Sequence, residues 1–277
     1  MRCTWARPVS ISMSRTRRVN GRSAIPSVWM WPISRPPRRN SVPPKRCGAT
    51  ATPSQLPTSA ITRSRLASTH GVLPRAVVMR VVLDWDGTVT MRDSLWMLLD
   101  EFGDREIFAQ AEKDLGKTLS YREVMEMELA TIQVPFEEAL TFLLDSVVVR
   151  EGFHELAAKH NPLILSGGFH QTIEPLLARE GVSLEVRANR INPRTDGWLI
   201  EWRDPEPCEV CGELCKRRNL PTERPMAYVG DGYSDRCAAL AADRIFARDA
   251  LARHLETEGV PFERFETLTE VVAALAA

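Results

Sequence analysis

The chain has 277 residues, enough for one or two domains. Its 36 basic and 36 acidic residues balance, but residues 1–78 hold 14 of the basic residues and none of the acidic ones, so residues 79–277 carry a formal charge of −14. This acidity argues against nucleic acid as a partner, and the lack of any run of about 18 apolar residues argues against a membrane protein.

The first 78 residues have the composition of a segment that cannot build a core. They are rich in arginine, serine and proline and show no sustained hydrophobic periodicity, so we expect disorder. Three interpretations are open: an organellar transit peptide, a basic arm that contacts nucleic acid or an anionic surface, or translated DNA upstream of a misplaced start. The last is favoured because Met79 directly precedes the first predicted strand.

The apolar run at residues 81–83 predicts a buried strand, and the sequence Asp-Trp-Asp-Gly-Thr follows at residues 84–88. Side chains two apart on an extended backbone point the same way, so Asp84 and Asp86 should converge at the carboxyl end of this strand. Such a pair needs a cation or proton between its charges, which indicates a metal-dependent site with one carboxylate for attack and another for proton transfer. An Asp-Gly turn is the simpler interpretation if this motif is taken alone.

Residues 92–150 are predicted to be helical. Apolar periodicity indicates helices over 93–102 and 105–115, and Ser120 with Glu123 forms a capping box for a helix that runs toward Gln133. A fourth helix begins at Pro135. The position of this group beside the first strand favours a cap over the site, and the alternative is a packing unit with no gating role.

A second predicted strand, residues 162–165, runs into Ser166, Gly167 and Gly168 and then into a helix that stops at Gly181. Backbone N–H groups at such a turn bind anions, and Ser166 adds a hydroxyl donor. By itself this pattern is also typical of an ordinary strand-to-helix connection.

Residues 184–188 and 198–202 alternate in hydrophobicity and predict a β-hairpin. A cysteine-rich loop follows. Its cysteines are Cys208, Cys211 and Cys215. They could bind Zn²⁺ with a fourth ligand from elsewhere, either Cys237 or a histidine. The alternative is a set of reduced thiols in a tight loop that positions Lys216.

A third predicted strand, residues 226–229, ends in a Gly-Asp-Gly-x-x-Asp loop that contains Asp231 and Asp235, ahead of an alanine-rich helix. These two carboxylates would join those of the first motif, and hard oxygen ligands favour Mg²⁺. Lys216 is suited to hold a phosphate as a point charge, although most lysines are simply solvated.

The chain closes with a strand over 244–246, a helix around 251–258 and a last helix that begins after Thr267. Strands alternate with helices throughout residues 79–277. This alternation predicts an α/β fold with a doubly wound, Rossmann-like core and a mostly parallel sheet.

Four motifs stand in order along the chain: Asp-x-Asp-Gly-Thr at 84–88, Ser-Gly-Gly at 166–168, Lys216, and Gly-Asp-Gly-x-x-Asp at 230–235. These motifs and their order resemble those of the haloacid-dehalogenase (HAD) phosphohydrolases. The resemblance covers about the whole of residues 79–277, and Asp86, which the dehalogenase members lack, favours phosphate ester hydrolysis. It implies a Mg²⁺-dependent phosphatase with a small helical C1 cap inserted after the first strand, at residues 92–150. A narrower resemblance links the chain to the 2-hydroxy-3-keto-5-methylthiopentenyl-1-phosphate phosphatases of methionine salvage, a phosphoserine-phosphatase-like branch. It is carried by residues 116–120, 149–153, 208–216 and 245–249.

The resemblance also implies a role for each motif residue. Asp84 would be the nucleophile that forms an aspartyl-phosphate, and Asp86 the group that protonates the leaving oxygen and then activates water. Mg²⁺ would be held by Asp84, Asp231 and the backbone carbonyl of Asp86, with Asp235 orienting or joining its shell. The phosphoryl oxygens would be held by Ser166, Gly167 and Lys216, with help from Thr88.

We therefore expect hydrolysis of a small phosphorylated metabolite by a cytoplasmic monomer or homodimer, without nucleic acid or membrane partners. Reduced thiols and the lack of a secretory signal favour the cytoplasm. Two alternatives remain open, a phosphoserine-type phosphatase and a catalytically silent HAD-fold binding protein that uses its carboxylates for metal.

Overall fold

The computed structural model describes residues 79–277, so the predictions of disorder, of a transit peptide or basic arm and of a misplaced start lie outside the described residues. The described chain forms a seven-stranded sheet in the order β4-β3-β2-β1-β5-β6-β7, in which every neighbouring pair is parallel except β3 and β4. The strands are β1 (Arg80–Leu83), β2 (Leu163–Phe169), β3 (Val186–Asn192), β4 (Leu199–Glu201), β5 (Met226–Gly230), β6 (Arg244–Ala247) and β7 (Glu263–Arg264).

The strand order reverses direction beside β1. From β1 the chain builds outward through β2 and β3, and it then returns to add β5, β6 and β7 on the other side. In open parallel sheets, ligands bind outside the carboxyl ends of the strands at such a reversal. The topology therefore directs attention to the residues that follow β1 and β5.

Side chains of the central strands alternate between two hydrophobic cores. Val81 and Leu83 belong to the cluster on one face of the sheet, whereas Val82 belongs to the cluster on the other, and all three are fully buried. Because both faces are covered, the buried part of β1, residues 81–83, is a continuous apolar run rather than an alternating one. The predicted α/β, doubly wound core with a parallel sheet is confirmed.

The described residues include nine α-helices, five of which lie between β1 and β2, and the first four of these form one inserted group. Val89 and Val148 anchor its two ends, since Arg150 N–H donates to the Val89 carbonyl at 2.7 Å and Met91 N–H donates to the Val148 carbonyl at 2.8 Å. The inserted helices are α1 (Ser94–Phe102), α2 (Arg105–Asp114), α3 (Tyr121–Leu129) and α4 (Phe136–Ser146), and the others are α5 (Phe153–His160), α6 (His170–Arg179), α7 (Arg236–Ala239), α8 (Asp249–Glu258) and α9 (Leu268–Ala276).

The inserted helices share a core with the sheet. Leu98, Leu129 and Leu143, from three of these helices, are at most 1% exposed and lie in the same cluster as Val81. Each such leucine contributes about 1.5–3 kcal/mol through burial. None of the helices in residues 79–277 is both long enough and apolar enough to cross a membrane.

Local sequence signals predict where most helices and strands begin. The observed ends of these elements differ more from the predicted ones. The capping box of Ser120 and Glu123 is confirmed. Helix α3, however, ends at Leu129 rather than near Gln133, because the backbone N–H of Trp198 donates a hydrogen bond to the Leu129 carbonyl at 3.2 Å.

The predicted hairpin exists, with antiparallel pairs from Arg190–Glu201 to Asn192–Leu199. Its first strand runs over 186–192 rather than 184–188, because β3 also pairs in parallel with β2. The alanine-rich helix α7 is only four residues long, and β6 begins at Arg244.

Candidate active site

Three strands bring the predicted site residues to one edge of the sheet. Asp84 directly follows β1, Asp231 directly follows β5, and Ser166 lies within β2. The backbone N–H of Asp84 donates to the carbonyl of Val229 at 3.0 Å, which extends the pairing of β1 and β5 into the site. The first and last motifs, almost 150 positions apart in sequence, are therefore held side by side by strand pairing.

Lys216 connects two of the carboxylates. It begins a short 3-10 helix, Lys216–Asn219, and its side chain is almost completely buried. Its ammonium group forms an ion pair with Asp84 Oδ1 and another with Asp235 Oδ1 at 2.7 Å. Burial alone lowers the pKa of Lys216, but the charges of Asp235 and Asp84 outweigh it and raise that pKa. The lysine is therefore a permanent cation beside the predicted nucleophile.

Asp235 accepts four hydrogen bonds from protein donors. Lys216 and the hydroxyl of Tyr228, at 2.6 Å, donate to Oδ1, and the backbone N–H groups of Asp231 and Gly232 donate to Oδ2 at 3.0 and 2.8 Å. Burial alone raises the pKa of Asp235. The charge of Lys216 and the hydrogen-bond donors lower this pKa by more than burial raises it, so the net shift is downward. This bonding suits a carboxylate that orients Lys216 and the loop, and its part in the metal shell stays a prediction.

The remaining carboxylates leave an excess of negative charge. Single oxygens of Asp84, Asp231 and Asp235 lie within 4.8 Å of one another, and Lys216 supplies one compensating charge. Burial and then the charge of Asp235 raise the pKa of Asp84 well above its usual range, and the same two causes raise that of Asp231 to about 7. A buried set of oxygen donors with a deficit of positive charge fits a divalent cation such as Mg²⁺.

Asp86 is held by the first residue of the inserted helices. Its Oδ1 accepts hydrogen bonds from the backbone N–H of Ser94, at 2.8 Å, and from the Ser94 hydroxyl. Its other oxygen faces Gly168, where an added Cβ would approach Asp86 Oδ2 to 2.7 Å. Burial raises the pKa of Asp86 despite the bonds from Ser94 and the charge of Lys216. A carboxyl group that retains its proton more readily is suited to act as a general acid.

Thr88 lies behind Asp231. Its side chain is fully buried, and its hydroxyl donates to Asp231 Oδ1 at 2.7 Å. Neighbouring Gly87 has a φ of +74°, and a Cβ there would come within 2.3 Å of Asp231 Oδ2, so this turn needs glycine. The Thr88 hydroxyl thus orients Asp231 in this structure, and its predicted help in holding phosphate stays a prediction.

Ser166 and Gly167 lie opposite Asp86. The Ser166 hydroxyl oxygen accepts a bond from the N–H of Gly168 at 2.8 Å, which leaves its own hydrogen to donate. The Gly167 carbonyl accepts a bond from Asn189 at 2.8 Å. A Cβ on Gly167 would lie 2.5 Å from the Tyr121 hydroxyl of the inserted helices. A narrow pocket opens here. Its lining includes Tyr121, Gly167, Asn189, Trp202, Lys216 and Ser234.

Arg150 is a site residue that motif analysis does not identify as functional. Its buried guanidinium donates to the carbonyls of Thr88 at 2.8 Å, Gly87 at 2.7 Å and Glu266 at 3.1 Å. It therefore fixes the loop that follows Asp84, the predicted nucleophile. Its hydrogen-bond acceptors are backbone carbonyls, which every residue type has, so no sequence motif indicates them. The only sequence signal for Arg150 is its place in segment 149–153, which belongs to the narrower family resemblance.

The inserted segment carries three acidic groups with raised pKa values, which are Asp93 at the start of α1, Glu112 on α2 and Glu128 on α3. Burial raises the pKa of Asp93 well above its usual range, that of Glu112 to about 7 and that of Glu128 to about 9, and the charged groups that add to these shifts are themselves acidic. Glu128 is 2% exposed, and its Oε1 has no hydrogen-bond partner among the described residues. Glu128 therefore keeps its proton at a pH where an ordinary glutamate is ionised.

The predicted cysteine cluster also comes together. The sulfur atoms of Cys208, Cys211, Cys215 and Cys237 all lie within 4.8 Å of one another. The fourth member is Cys237 from helix α7, one of the two sources that the sequence left open.

Comparison with known proteins gives consistent results. A sequence model of the haloacid dehalogenase-like hydrolases matches residues 81–240, more than half of the chain. A 2-hydroxy-3-keto-5-methylthiopentenyl-1-phosphate phosphatase of Bacillus cereus is 27% identical over 209 residues, which cover 71% of this chain and 95% of the relative.

Two solved structures share the fold. A phosphoserine phosphatase of T. onnurineus has a TM-score of 0.52 at 23% identity and covers 74% of this chain and 98% of its own. A phosphoserine phosphohydrolase-like protein of Francisella tularensis has a TM-score of 0.53 at 16% identity and covers 71% of this chain and 99% of its own. The family predicted from the four motifs is thus confirmed: the chain belongs to the haloacid dehalogenase-like hydrolases.

Proposed function

We propose that the chain is a Mg²⁺-dependent phosphatase that hydrolyses a small phosphate monoester through an aspartyl-phosphate on Asp84. The observation that carries this proposal is the buried Lys216, which bridges Asp84 and Asp235. It provides a fixed positive charge beside a carboxylate at the carboxyl end of β1. Such a pair suits phosphoryl transfer, which depends on positioning and charge neutralisation.

In the first step, a carboxylate oxygen of Asp84 attacks phosphorus while the bond from phosphorus to the ester oxygen breaks. Asp86 gives its proton to that oxygen, so an alcohol leaves and an aspartyl-phosphate remains. Ser166 and Gly167 donate to the phosphoryl oxygens, and Lys216 neutralises part of their charge. The bonds from Ser94 hold Asp86 in place for this transfer.

In the second step, the ionised Asp86 takes a proton from water, and the water oxygen attacks phosphorus. The bond between phosphorus and the Asp84 oxygen breaks, which releases phosphate and restores both carboxyl groups. Asp84, Asp231 and the backbone carbonyl of Asp86 would hold Mg²⁺, which supplies charge stabilisation to the phosphoryl group when bound. Thr88 keeps Asp231 oriented for that role.

The helices at residues 92–150 are proposed to form a cap over this site. Two contacts support this role: Ser94 binds Asp86, and the Tyr121 hydroxyl lies against Gly167. A cap excludes water from the phosphoryl group and contacts the leaving group.

The leaving group is proposed to be uncharged and partly apolar, as in the methylthio-ketopentenyl phosphate named for the Bacillus relatives. The rings of Tyr121 and Trp202, 6.3 Å apart, line the pocket beside Lys216 and suit a methylthio group. The phosphoserine-type phosphatase remains the alternative, and a substrate panel distinguishes the two.

An Asp84→Asn variant tests the nucleophile. With Mg²⁺ and an aryl phosphate we expect turnover in the unaltered chain and none in the variant, while Asp145→Asn, an exposed carboxylate on α4, leaves the rate unchanged. After acid quenching, labelled phosphate should remain on the unaltered chain only, in a form that hydroxylamine releases. Turnover that survives in Asp84→Asn contradicts the proposal.

A substrate panel separates the alternatives. We expect a higher kcat/KM for methylthio-ketopentenyl phosphate than for phosphoserine, and the reverse order would favour the phosphoserine-type alternative. If the unaltered chain turns over no phosphate ester in the panel yet binds Mg²⁺, the catalytically silent binding protein is the correct interpretation.

Two further predictions are kept as proposals, a cytoplasmic location and a monomeric or homodimeric state. The free thiols of residues 208–237 suit a reducing compartment. Cell fractionation tests the location, and light scattering after size-exclusion chromatography tests the oligomeric state.

A further inference from the structure

The cysteine cluster lies outside the set of groups that the proposed phosphatase uses. Cys208, Cys211 and Cys215 belong to one loop, whereas Cys237 is the second residue of helix α7. Cys208 and Cys237 are buried, and Cys211 is exposed at the rim. The fold therefore brings four thiols from two separate segments to one point near the surface.

The spacing of these sulfur atoms matches a tetrahedral metal site. A zinc–sulfur bond of about 2.3 Å in tetrahedral geometry separates neighbouring sulfur atoms by about 3.8 Å. The sulfur atoms of Cys208 and Cys237 are 4.0 Å apart, and all four lie within 4.8 Å of one another. Reduced thiols that merely pack in a loop have no reason to share one centre in this way.

The backbone of the loop also favours a thiolate at Cys208. The N–H groups of Val210 and Cys211 donate to the sulfur of Cys208, and Gly212 N–H closes the turn onto the Cys208 carbonyl at 2.8 Å. Gly212 has a φ of +75°, which lets the chain turn back immediately after the second cysteine. A turn with amides directed at sulfur stabilises negative charge on that sulfur.

We propose that Cys208, Cys211, Cys215 and Cys237 bind one structural Zn²⁺ ion. Four thiols lose their protons to solvent as four zinc–sulfur bonds form, which leaves a site with a net charge of −2. Soft thiolates select zinc over the Mg²⁺ that the carboxylates suit, so the two metals do not compete for one site. Arg217, which donates to the Cys237 carbonyl at 3.0 Å, supplies a neighbouring positive charge.

The site has a consequence for the chain around it. Cys215 directly precedes Lys216, and Cys237 follows Asp235 by two residues, so one ion ties together the two segments whose ion pair is 2.7 Å long. Zinc would thereby hold Lys216 in position. This inference does not depend on the proposed function, because metal binding is measured without substrate.

The experiment measures metal content in the full-length chain purified without chelators. We expect about one zinc ion per chain that survives dialysis against Mg²⁺ buffer. Replacement by Co²⁺ should give the visible absorption of a tetrahedral thiolate site. Cys211→Ser, at the exposed rim, and Cys237→Ser should each lower retained zinc at least about tenfold, whereas Cys47→Ser, which removes a cysteine that the proposal does not use, should retain it.

Two outcomes would overturn the proposal. One is an unaltered chain that holds no zinc after purification with added zinc and gives no tetrahedral cobalt spectrum. The other is a Cys211→Ser variant with undiminished zinc content. Because Cys211 is exposed, its replacement removes a ligand without disturbing the core, and circular dichroism verifies that this variant folds.

Discussion

Asp235 is the carboxylate of the site whose hydrogen bonds suit it to position other groups. All four of its bonds go to protein donors, and one of these is the ammonium group of Lys216. Asp231 has only Thr88 as a side-chain donor, so its second oxygen remains available to a cation. Two aspartates of one loop are thus proposed to divide the work between positioning and metal binding.

Replacing each of the two aspartates separates these roles. We expect Asp235→Asn to lower kcat about 10²-fold or more, since Lys216 loses its second charge partner, with little change in the Mg²⁺ concentration that gives half-maximal rate. Asp231→Asn should instead raise that concentration at least about tenfold. Steady-state kinetics over a Mg²⁺ series measures both, with Asp145→Asn as the matched control. A large Mg²⁺ shift in Asp235→Asn would identify it as a ligand.

Glu128 predicts a specific pH dependence of stability. The folded chain keeps the Glu128 proton up to a pKa of about 9, against 4.5 for an ordinary glutamate. The folded state therefore binds more protons than the unfolded state between these values, and the free energy of unfolding falls as pH rises, by at most about 1.4 kcal/mol per pH unit from this group.

A Glu128→Gln variant removes this titration. We expect its free energy of unfolding in urea to fall less than that of the unaltered chain between pH 5 and pH 8, so that the variant is the more stable protein at pH 8. Glu138→Gln, an exposed glutamate on α4, should follow the unaltered chain. Parallel curves for Glu128→Gln and the unaltered chain would mean that Glu128 is ionised in the folded state.

At the scale of elements, the inserted helices are linked at both of their ends to the loop that follows β1, residues 84–90. Ser94 begins α1 and binds Asp86, and Arg150 follows α4 and binds the carbonyls of Gly87 and Thr88. We therefore expect a displacement of the helices to shift the loop as well. This coupling gives the insertion a structural reason to affect catalysis even where it does not contact substrate.

Arg150→Lys tests this link. A lysine keeps the charge but cannot donate to several carbonyls in the planar arrangement of a guanidinium group. We expect kcat to fall about tenfold or more, together with a loss of about 1–3 kcal/mol in the free energy of unfolding, because buried carbonyls lose their partners. Arg190→Lys, at an exposed position, is the control. Unchanged kcat with lowered stability would limit Arg150 to a role in folding.

Across the whole molecule, the sequence predicts what local periodicity encodes and misses what depends on tertiary packing. The two-residue spacing of Asp84 and Asp86 and the Ser120 cap are local, and they predict the strand end and the start of α3 correctly. The choice of Cys237 as the fourth thiol depends on where α7 packs. The contacts of Arg150 and the two-residue strand β7 likewise have no periodic signal.

The excess of negative charge at the site leads to a prediction about how Mg²⁺ affects the stability of the whole molecule. The carboxylates of Asp84, Asp231 and Asp235 share one lysine, so Mg²⁺ should stabilise the folded state by relieving their repulsion. At a Mg²⁺ concentration of 100 times its Kd, we expect a gain of about 2.7 kcal/mol in the free energy of unfolding, measured in urea. An equal ionic strength of NaCl should give much less, and Asp231→Asn should abolish the difference, because it removes one of the two side-chain ligands. If NaCl stabilises the protein as much as Mg²⁺ does, the effect is general screening, and the proposed site at the end of β1 and β5 does not bind the ion.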